Sequence, residues 1–387
     1  MALKSLWIAF ASFCLVCFLL AKENGSSRVV HAAAAAGAQQ LFSFSHPAMG
    51  TTYTLLLYAD RAQDASAEAA KAFATVDDVE TLLSNYQPQS ELSRINNEAY
   101  AGPVTTDPET FAFLKTSLDW SARSDGAFDM TVGALMKAWG FFRSTGRVPS
   151  AAELARVRAE SGWRKVRLDP ATRMVRFTAP GIELDPGGIG KGFAVDRVVS
   201  ALRNDGVENA LISAGSSTIY GLGAPPGHAG WRVDVPDPAR PGSAVAFVLL
   251  RNTSLSTASC TEKHFVLAGH LYCHIMDPRL ALPVEGRLQA TVITPSATDG
   301  DALSNVMFVD DAAARASIMR QMGAEDSALV FSGIPAEDRD RAGSQPRAAG
   351  HTPECDSYRW PGTIPADCVR VGAAKLSNVD GRKGEDK

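Results

Sequence analysis

Excess positive charge is missing from this sequence. Its 38 Lys and Arg stand against 42 Asp and Glu, a net charge of -4. It therefore lacks the basic field by which proteins hold nucleic acid, and nucleic acid is not an expected partner. Internal repeats are absent too, which excludes a repeat architecture. Cysteine is sparse, six residues in all, and Cys14 and Cys17 lie inside an apolar run, not where a lipobox cysteine would be needed. That run, Leu6 to Ala21, is the one long hydrophobic stretch. It falls short of the ~20 apolar residues that span a bilayer.

The run follows Lys4 and is succeeded by small residues, with Val30-His31-Ala32 resembling a cleavage site. Residues 1–32 therefore read as a signal peptide, and the expected location is the periplasm. Retention of the segment, with association to the inner membrane, is the alternative. Four cysteines would remain: Cys260, Cys273, Cys355 and Cys368. Cys355 and Cys368 bracket a short loop, and a bridge there would contribute about 3 kcal/mol. Spacing leaves the pairing open.

What is present is otherwise ordinary. At 45% hydrophobic and 21% charged residues, the 387-residue chain has a globular composition with room for one large domain or two packed subdomains. Ala69, Phe73, Val76, Val79 and Leu83 recur at helical spacing, as do Phe111, Leu114 and Leu118. Leu41 to Ala59 reads as a strand interrupted at Pro47 to Gly50. Val166 to Leu168 and Met174 to Phe177 read as a hairpin, and the second half is mostly strands before two helices near Thr298 and Ala312. With no regular strand–helix alternation, the expected class is α+β, mixed or antiparallel sheets flanked by helices. The domain is expected over residues 41–334, with a polar tail over 335–387.

Four segments carry residues that packing alone does not explain. Leu184 to Gly192, LDPGGIGKG, is a glycine-rich turn opening a helix, which suits a phosphate or is simply a tight turn. It is no P-loop, because Gly192 follows Lys191 where Ser or Thr is required. In Gly126 to Phe141, Asp129 stands among apolar residues, as a cap or as a polar ligand. HIMDPRLALP places His274, suited to proton transfer or a structural role, beside an aspartate and an arginine. In TDGDALSNV, Asp301 and Asn305 are one helical turn apart and offer oxygens to a hard cation, or belong to a helix start.

The order of motifs is more specific than any one of them. HPAMGTTYTLLL, LSNYQPQSELSRINN, GAFDMTVGALMKAWGF, ELDPGGIGKGFAVDRV, ALISAGSSTIYGLG, SLSTASCTEKHF, YCHIMDPRLALPVEG and TPSATDGDALSNVMF follow one another from His46 to about Phe331. This series resembles the FAD:protein FMN transferase (ApbE-type) family. The resemblance implies an α+β fold that binds FAD with Mg2+ at the pyrophosphate. It implies attack by a Thr or Ser hydroxyl of an acceptor protein on the riboflavin-side phosphorus, with loss of AMP. Met49, Tyr86, Ala127, Phe128, Asp129, Asp185, Lys191 and Ile275 would line the FAD site. The metal would be held by the carbonyl of Gly188 with Asp301 and Asn305, and His274 would be the general base.

The chain departs from the family pattern at Leu280-Ala281 (usually Thr-Gly), Thr257-Ala258-Ser259, Gly215-Ser216-Ser217 and Asn305, where a threonine is usual. Three readings stay open at this point. They are a magnesium-dependent flavin transferase, an exported FAD-binding protein that has lost catalysis, and a magnesium-dependent FAD hydrolase giving FMN and AMP.

Overall fold

The computed structural model describes residues 39–333, apart from Glu262, and 353–371. The expected signal peptide and cleavage site lie outside the described residues.

Alternating burial opens the chain. β1 (Gln40–Ala48) and β2 (Thr51–Ala59) pair antiparallel about Met49 and Gly50, both with positive φ, so the interruption at Pro47 to Gly50 is a hairpin turn. α1 (Ala62–Leu83) buries Ala65, Ala69, Ala72, Val76, Val79 and Leu83, the spacing of one helix face. Then come α2 (Glu91–Glu98), β3 (Val104–Thr105) and α3 (Pro108–Arg123). Ser90 and Asp107 start the two helices by accepting backbone N–H bonds. α4 (Gly133–Ala138), α5 (Ala151–Glu160), β4 (Val166–Asp169) and β5 (Met174–Phe177) follow, with β3, β5 and β4 forming a small sheet.

The remainder builds most of the main sheet. It comprises α6 (Gly190–Asn204), β6 (Ala210–Ala214), β7 (Thr218–Leu222), β8 (Trp231–Pro236), β9 (Ala244–Leu250) and β10 (Thr253–Ser259). The short pairs β11 (His264–Leu267) with β12 (His270–Cys273) and β13 (Met276–Asp277) with β14 (Leu282–Pro283) come next. Last are β15 (Arg287–Thr294), α7 (Ala297–Val309), α8 (Ala312–Gln321), β16 (Ser327–Ser332), β17 (Glu354–Tyr358) and β18 (Val369–Arg370).

Nine strands lie side by side as β1-β2-β6-β7-β10-β15-β16-β17-β18. All neighbours are antiparallel except β17 and β18. The class is α+β, as expected. Side chains alternate across the sheet. Tyr220, Val292 and Val330 point to one core with residues of α1, α6 and α7, whereas Ile219, Ile293 and Leu329 point to a second core under β8 and β9. Each such aliphatic or aromatic side chain contributes about 1.5–3 kcal/mol on full burial.

The polar tail set off at residue 335 needs correction. Its residues 354–358 and 369–370 extend the sheet, because Cys355, Ser357 and Tyr358 are buried against it and Arg315 of α8 reaches Asp356 at 2.5 Å. Cys355 bridges Cys368, and Cys260 bridges Cys273.

Candidate active site

α7 is buried almost all round, so its fully buried carboxylate, Asp301 at 4% exposure, must have partners to be tolerated. Asp301 Oδ2 accepts the backbone N–H of Gly192 at 3.0 Å. A Cβ on Gly192 would lie 2.2 Å from the Ala297 carbonyl oxygen and 2.8 Å from Asp301 Cβ. Only glycine allows α6 and α7 to approach this closely, which is why no P-loop hydroxyl stands at this position. One turn on, Asp196 accepts from Ser296 Oγ at 2.8 Å, Ala297 N at 2.8 Å, and Thr298 N and Oγ1 at 2.9 and 2.6 Å. The start of α7 is thus filled by protein groups. The start of α6 has no cap from its own N-cap residue and no acid in its first turn, and its Gly190 and Gly192 N–H groups are taken by the Pro186 carbonyl and by Asp301. The positive dipole end of the helix still favours an anion beside it.

Around this helix start the motifs converge. Asn305 Nδ2 donates to the Gly188 carbonyl at 3.2 Å and to the Asp301 carbonyl at 2.9 Å. A Cβ at Gly188 would lie 3.2 Å from the Phe128 ring, and one at Gly190 would lie 3.6 Å from Met49 Cε. Met49 is fixed by Tyr53, whose buried hydroxyl donates to Met49 Sδ at 3.1 Å. Burial, then the charges of Asp301 and Glu80, push the Tyr53 phenol well up, so it stays a neutral donor. Gly188, Asp301 and Asn305 are therefore adjacent, a set of one carboxylate and two neutral oxygen-bearing groups. Among the described residues, no cluster of three or more His, Cys, Asp or Glu is placed to hold a metal.

The strand-like segment before the turn is held at its edges. Asn96 clamps Leu184, donating to its carbonyl at 3.0 Å and accepting its N–H at 2.8 Å, and Asp185 N donates to Met130 O at 2.7 Å. Asp185 Oδ1 accepts Gly187 N–H at 2.8 Å. Burial raises the Asp185 carboxyl above its ordinary range, opposed by the Gly187 N–H, Asn85, Lys263 and Lys191. Lys191 is half-buried in the first turn of α6. Tyr86 stands exposed at the rim, its ring stacked on Phe142 at 4.3 Å and 3° and near enough to Asp185 to feel its charge.

Ala127 and Phe128 are buried, and the N–H groups of both are taken up by Ser124. Asp129 caps no helix, since α4 begins after Val132 without a side-chain cap, and its carboxylate is taken up by neighbouring donors. Oδ1 accepts from Thr131 N and Oγ1, each at 2.8 Å, and Oδ2 accepts from Trp163 N at 2.9 Å. Burial raises its pKa, and those donors oppose the shift.

His274 follows β12. Its ring Nδ1 lies 2.8 Å from the Lys263 carbonyl oxygen, which also accepts the His274 N–H at 3.1 Å. A carbonyl only accepts, so Nδ1 carries the proton and the lone pair of the neutral ring is on Nε2, the form a general base needs. Lys263 thus touches both halves of the site: its carbonyl orients His274, and its charge acts on Asp185. Ile275 is buried beside it. Arg279 is held by Asp277 and Asp310 at 2.9 Å, and its Cγ lies 3.8 Å from where a Gly126 Cβ would be. Leu280 is exposed, and Ala281 takes a positive φ of 61° where the family has glycine.

Four contributors escaped the sequence reading: Tyr53, Asn96, Asp196 and Lys263. Asn96 and Asp196 stand on helices whose buried neighbours are apolar, so they read as ordinary helix residues, and Lys263 orients His274 through its carbonyl. The aspartate inside the FAVDRV run was the one trace.

Comparison with known proteins places the fold. Residues 49–328 match the ApbE family. The chain is 29% identical over 322 residues to an FAD:protein FMN transferase of Klebsiella pneumoniae, covering 83% of this chain and 97% of that one. It is 29% identical over 308 residues to that of Treponema pallidum, covering 75% and 84%. The ApbE protein of Thermotoga maritima superposes with a TM-score of 0.70 at 27% identity, covering 79% of this chain and 100% of that one. The flavinyl transferase ApbE of Pseudomonas stutzeri gives 0.67 at 26%, covering 76% and 92%. With the match spanning the helix starts, the Asp185 segment and His274, the chain belongs to the ApbE family.

Proposed function

We propose that this protein is an FAD:protein FMN transferase that moves FMN from FAD to a Thr or Ser hydroxyl of an acceptor protein. The observation that carries the reading is the meeting of the glycine-rich α6 start with Gly188, Asp301 and Asn305. FAD's pyrophosphate is the anion for that place.

Gly188 O, the Asp301 carboxylate and, with its amide turned over, the Asn305 oxygen would make a hard donor set of the kind that suits magnesium. When bound, magnesium offsets the negative charge of the pyrophosphate and of departing AMP. The protein's own groups position and deprotonate. Phe128 and Met49 border the turn, and Tyr86 supplies an exposed ring at the rim. His274, with its proton held on Nδ1, takes the acceptor's hydroxyl proton at Nε2. The hydroxyl oxygen then bonds to the riboflavin-side phosphorus as the bond to AMP breaks. FMN remains on the acceptor as a phosphodiester, and AMP leaves.

One observation favours a second reading. Asn305 presents its amide nitrogen, not its oxygen, to the Gly188 carbonyl. A chain resting in that state binds FAD with a weakened metal site and turns over slowly or not at all. Water in place of the acceptor hydroxyl would give the hydrolase. The N-terminal apolar run and the two disulfides support work in the periplasm after export, with attachment to the inner membrane if the run is retained. The test is incubation with FAD, magnesium and a candidate acceptor domain. Flavin fluorescence should stay with the acceptor in a denaturing gel.

A further inference from the structure

The hairpin of β11 and β12, which leads to His274, is cross-linked across its base by a disulfide. Cys260 directly follows β10, where its N–H meets the Leu288 carbonyl of β15 at 3.5 Å. Its partner Cys273 directly precedes His274, and both cysteines are buried. Between them run two four-residue strands in which His264 pairs with Cys273. The next rung is Lys263 with His274, and both of its bonds, from His274 N and Nδ1, end on the Lys263 carbonyl. A two-stranded hairpin of this length is marginal by itself. On its far side it rests on aromatic contacts, Phe265 on Phe141 at 5.2 Å and Tyr272 on Trp139 at 5.5 Å. Those contacts hold the body of the hairpin; at its base His264 Nδ1 lies 3.1 Å from the Cys260 carbonyl oxygen, beside the disulfide.

We infer that the Cys260–Cys273 disulfide is a positioning device for His274: it seats the Lys263–His274 rung against β10 and so keeps the imidazole in its Nδ1–H form, with the basic nitrogen at Nε2. Free imidazole prefers the opposite tautomer, with the proton on Nε2, which cannot accept a hydroxyl proton there. Opening the disulfide lets the rung separate, and the base is lost from part of the population. The inference rests on His274 as the general base for its consequence on rate. Its structural half stands independently of any turnover. Cys355–Cys368 lies on β17 and the segment after it, away from this rung, and has no such role.

The experiment compares three forms of the full chain labelled with 15N-histidine. These are the parent, Cys260→Ser/Cys273→Ser and, as control, Cys355→Ser/Cys368→Ser, with the His274 resonances assigned by their loss in His274→Gln. Reducing and reoxidising the folded control protein repeats the comparison with no change at Cys260 or Cys273, should the first variant fail to fold. In parent and control, His274 should show a protonated Nδ1 and an unprotonated Nε2. In Cys260→Ser/Cys273→Ser, or on reduction, the Nε2–H form should appear. Flavin transfer should then fall about 10- to 100-fold, the scale of a misplaced catalytic group, with FAD affinity within a few-fold. Retention of the Nδ1–H form without the disulfide overturns the inference. A changed tautomer with an unchanged transfer rate overturns its link to catalysis. If the parent transfers no flavin, the proposed function fails and the tautomer comparison still decides the structural half.

Discussion

Asn305 Nδ2 donates to the carbonyl of Gly188 across 3.2 Å, tying α7 to the turn that opens α6. The same nitrogen bonds the Asp301 carbonyl at 2.9 Å. The amide therefore supplies positive hydrogens where two carbonyl oxygens converge. Turned over, its oxygen would face both carbonyls, an arrangement that only a cation between them makes favourable. Metal binding in this chain must compete with those hydrogen bonds. A threonine at 305 has no second donor to give up. Asn305→Thr should lower the magnesium concentration needed for half-maximal activity, whereas Asp301→Ala should remove metal dependence and activity together. An unchanged magnesium requirement in Asn305→Thr, read by titration of the transfer rate, argues against this placement of the metal.

His274→Ala removes the proposed base without touching the helix starts. Transfer should drop about 10²- to 10⁴-fold, the usual effect of losing a general base. FAD binding, followed by calorimetry, should stay within a few-fold of the parent. A variant transferring at the parent's rate returns His274 to a structural role.

Gly192→Ala places a methyl 2.2 Å from the Ala297 carbonyl oxygen. α6 and α7 must then part, at about 1–3 kcal/mol for overpacking a close contact. Asp301 also loses its Gly192 N–H partner. Thermal denaturation should show the loss of stability, and the folded fraction should bind FAD more weakly. A stable variant with unaltered FAD affinity contradicts the tight helix contact.

Asp129→Asn keeps one acceptor for Thr131 but turns an amide donor toward the Trp163 N–H, now satisfied by Oδ2. Leaving that pair unmatched costs about 1–3 kcal/mol. Denaturant unfolding should report the loss, while FAD affinity of the folded protein changes little. An affinity loss above tenfold with unchanged stability would instead assign the Asp129 carboxylate to the ligand.

Helical periodicity made α1 and α3 readable, and the second half was legible as mostly strands. β10 was not readable. Its sequence, Thr253 to Ser259, is mostly Ser, Thr and Ala, yet it is a central strand. Small polar side chains are needed there because α7 comes down on it at Gly300, where a Cβ would lie 2.8 Å from Ser256 Oγ. Ser254 is satisfied by Thr294 and the Ser296 carbonyl. The tail strands were hidden for another reason, since β17 is polar in composition and is held through Arg315 and a disulfide. In the site, motif order located the residues, but spacing could not show which atom each one uses. Asp129 faces Thr131 and Trp163, and Asn305 presents nitrogen to Gly188.

The central claim is that FMN passes from FAD to a protein hydroxyl. Its most direct measurement is a product balance on one reaction of the protein with FAD, magnesium and an acceptor domain. AMP, free FMN and acceptor-bound flavin are quantified together by chromatography and intact-mass analysis. The account predicts one AMP for each acceptor carrying an FMN phosphodiester on Thr or Ser, with little free FMN. AMP matched by free FMN, or bound FAD without any AMP, would contradict it.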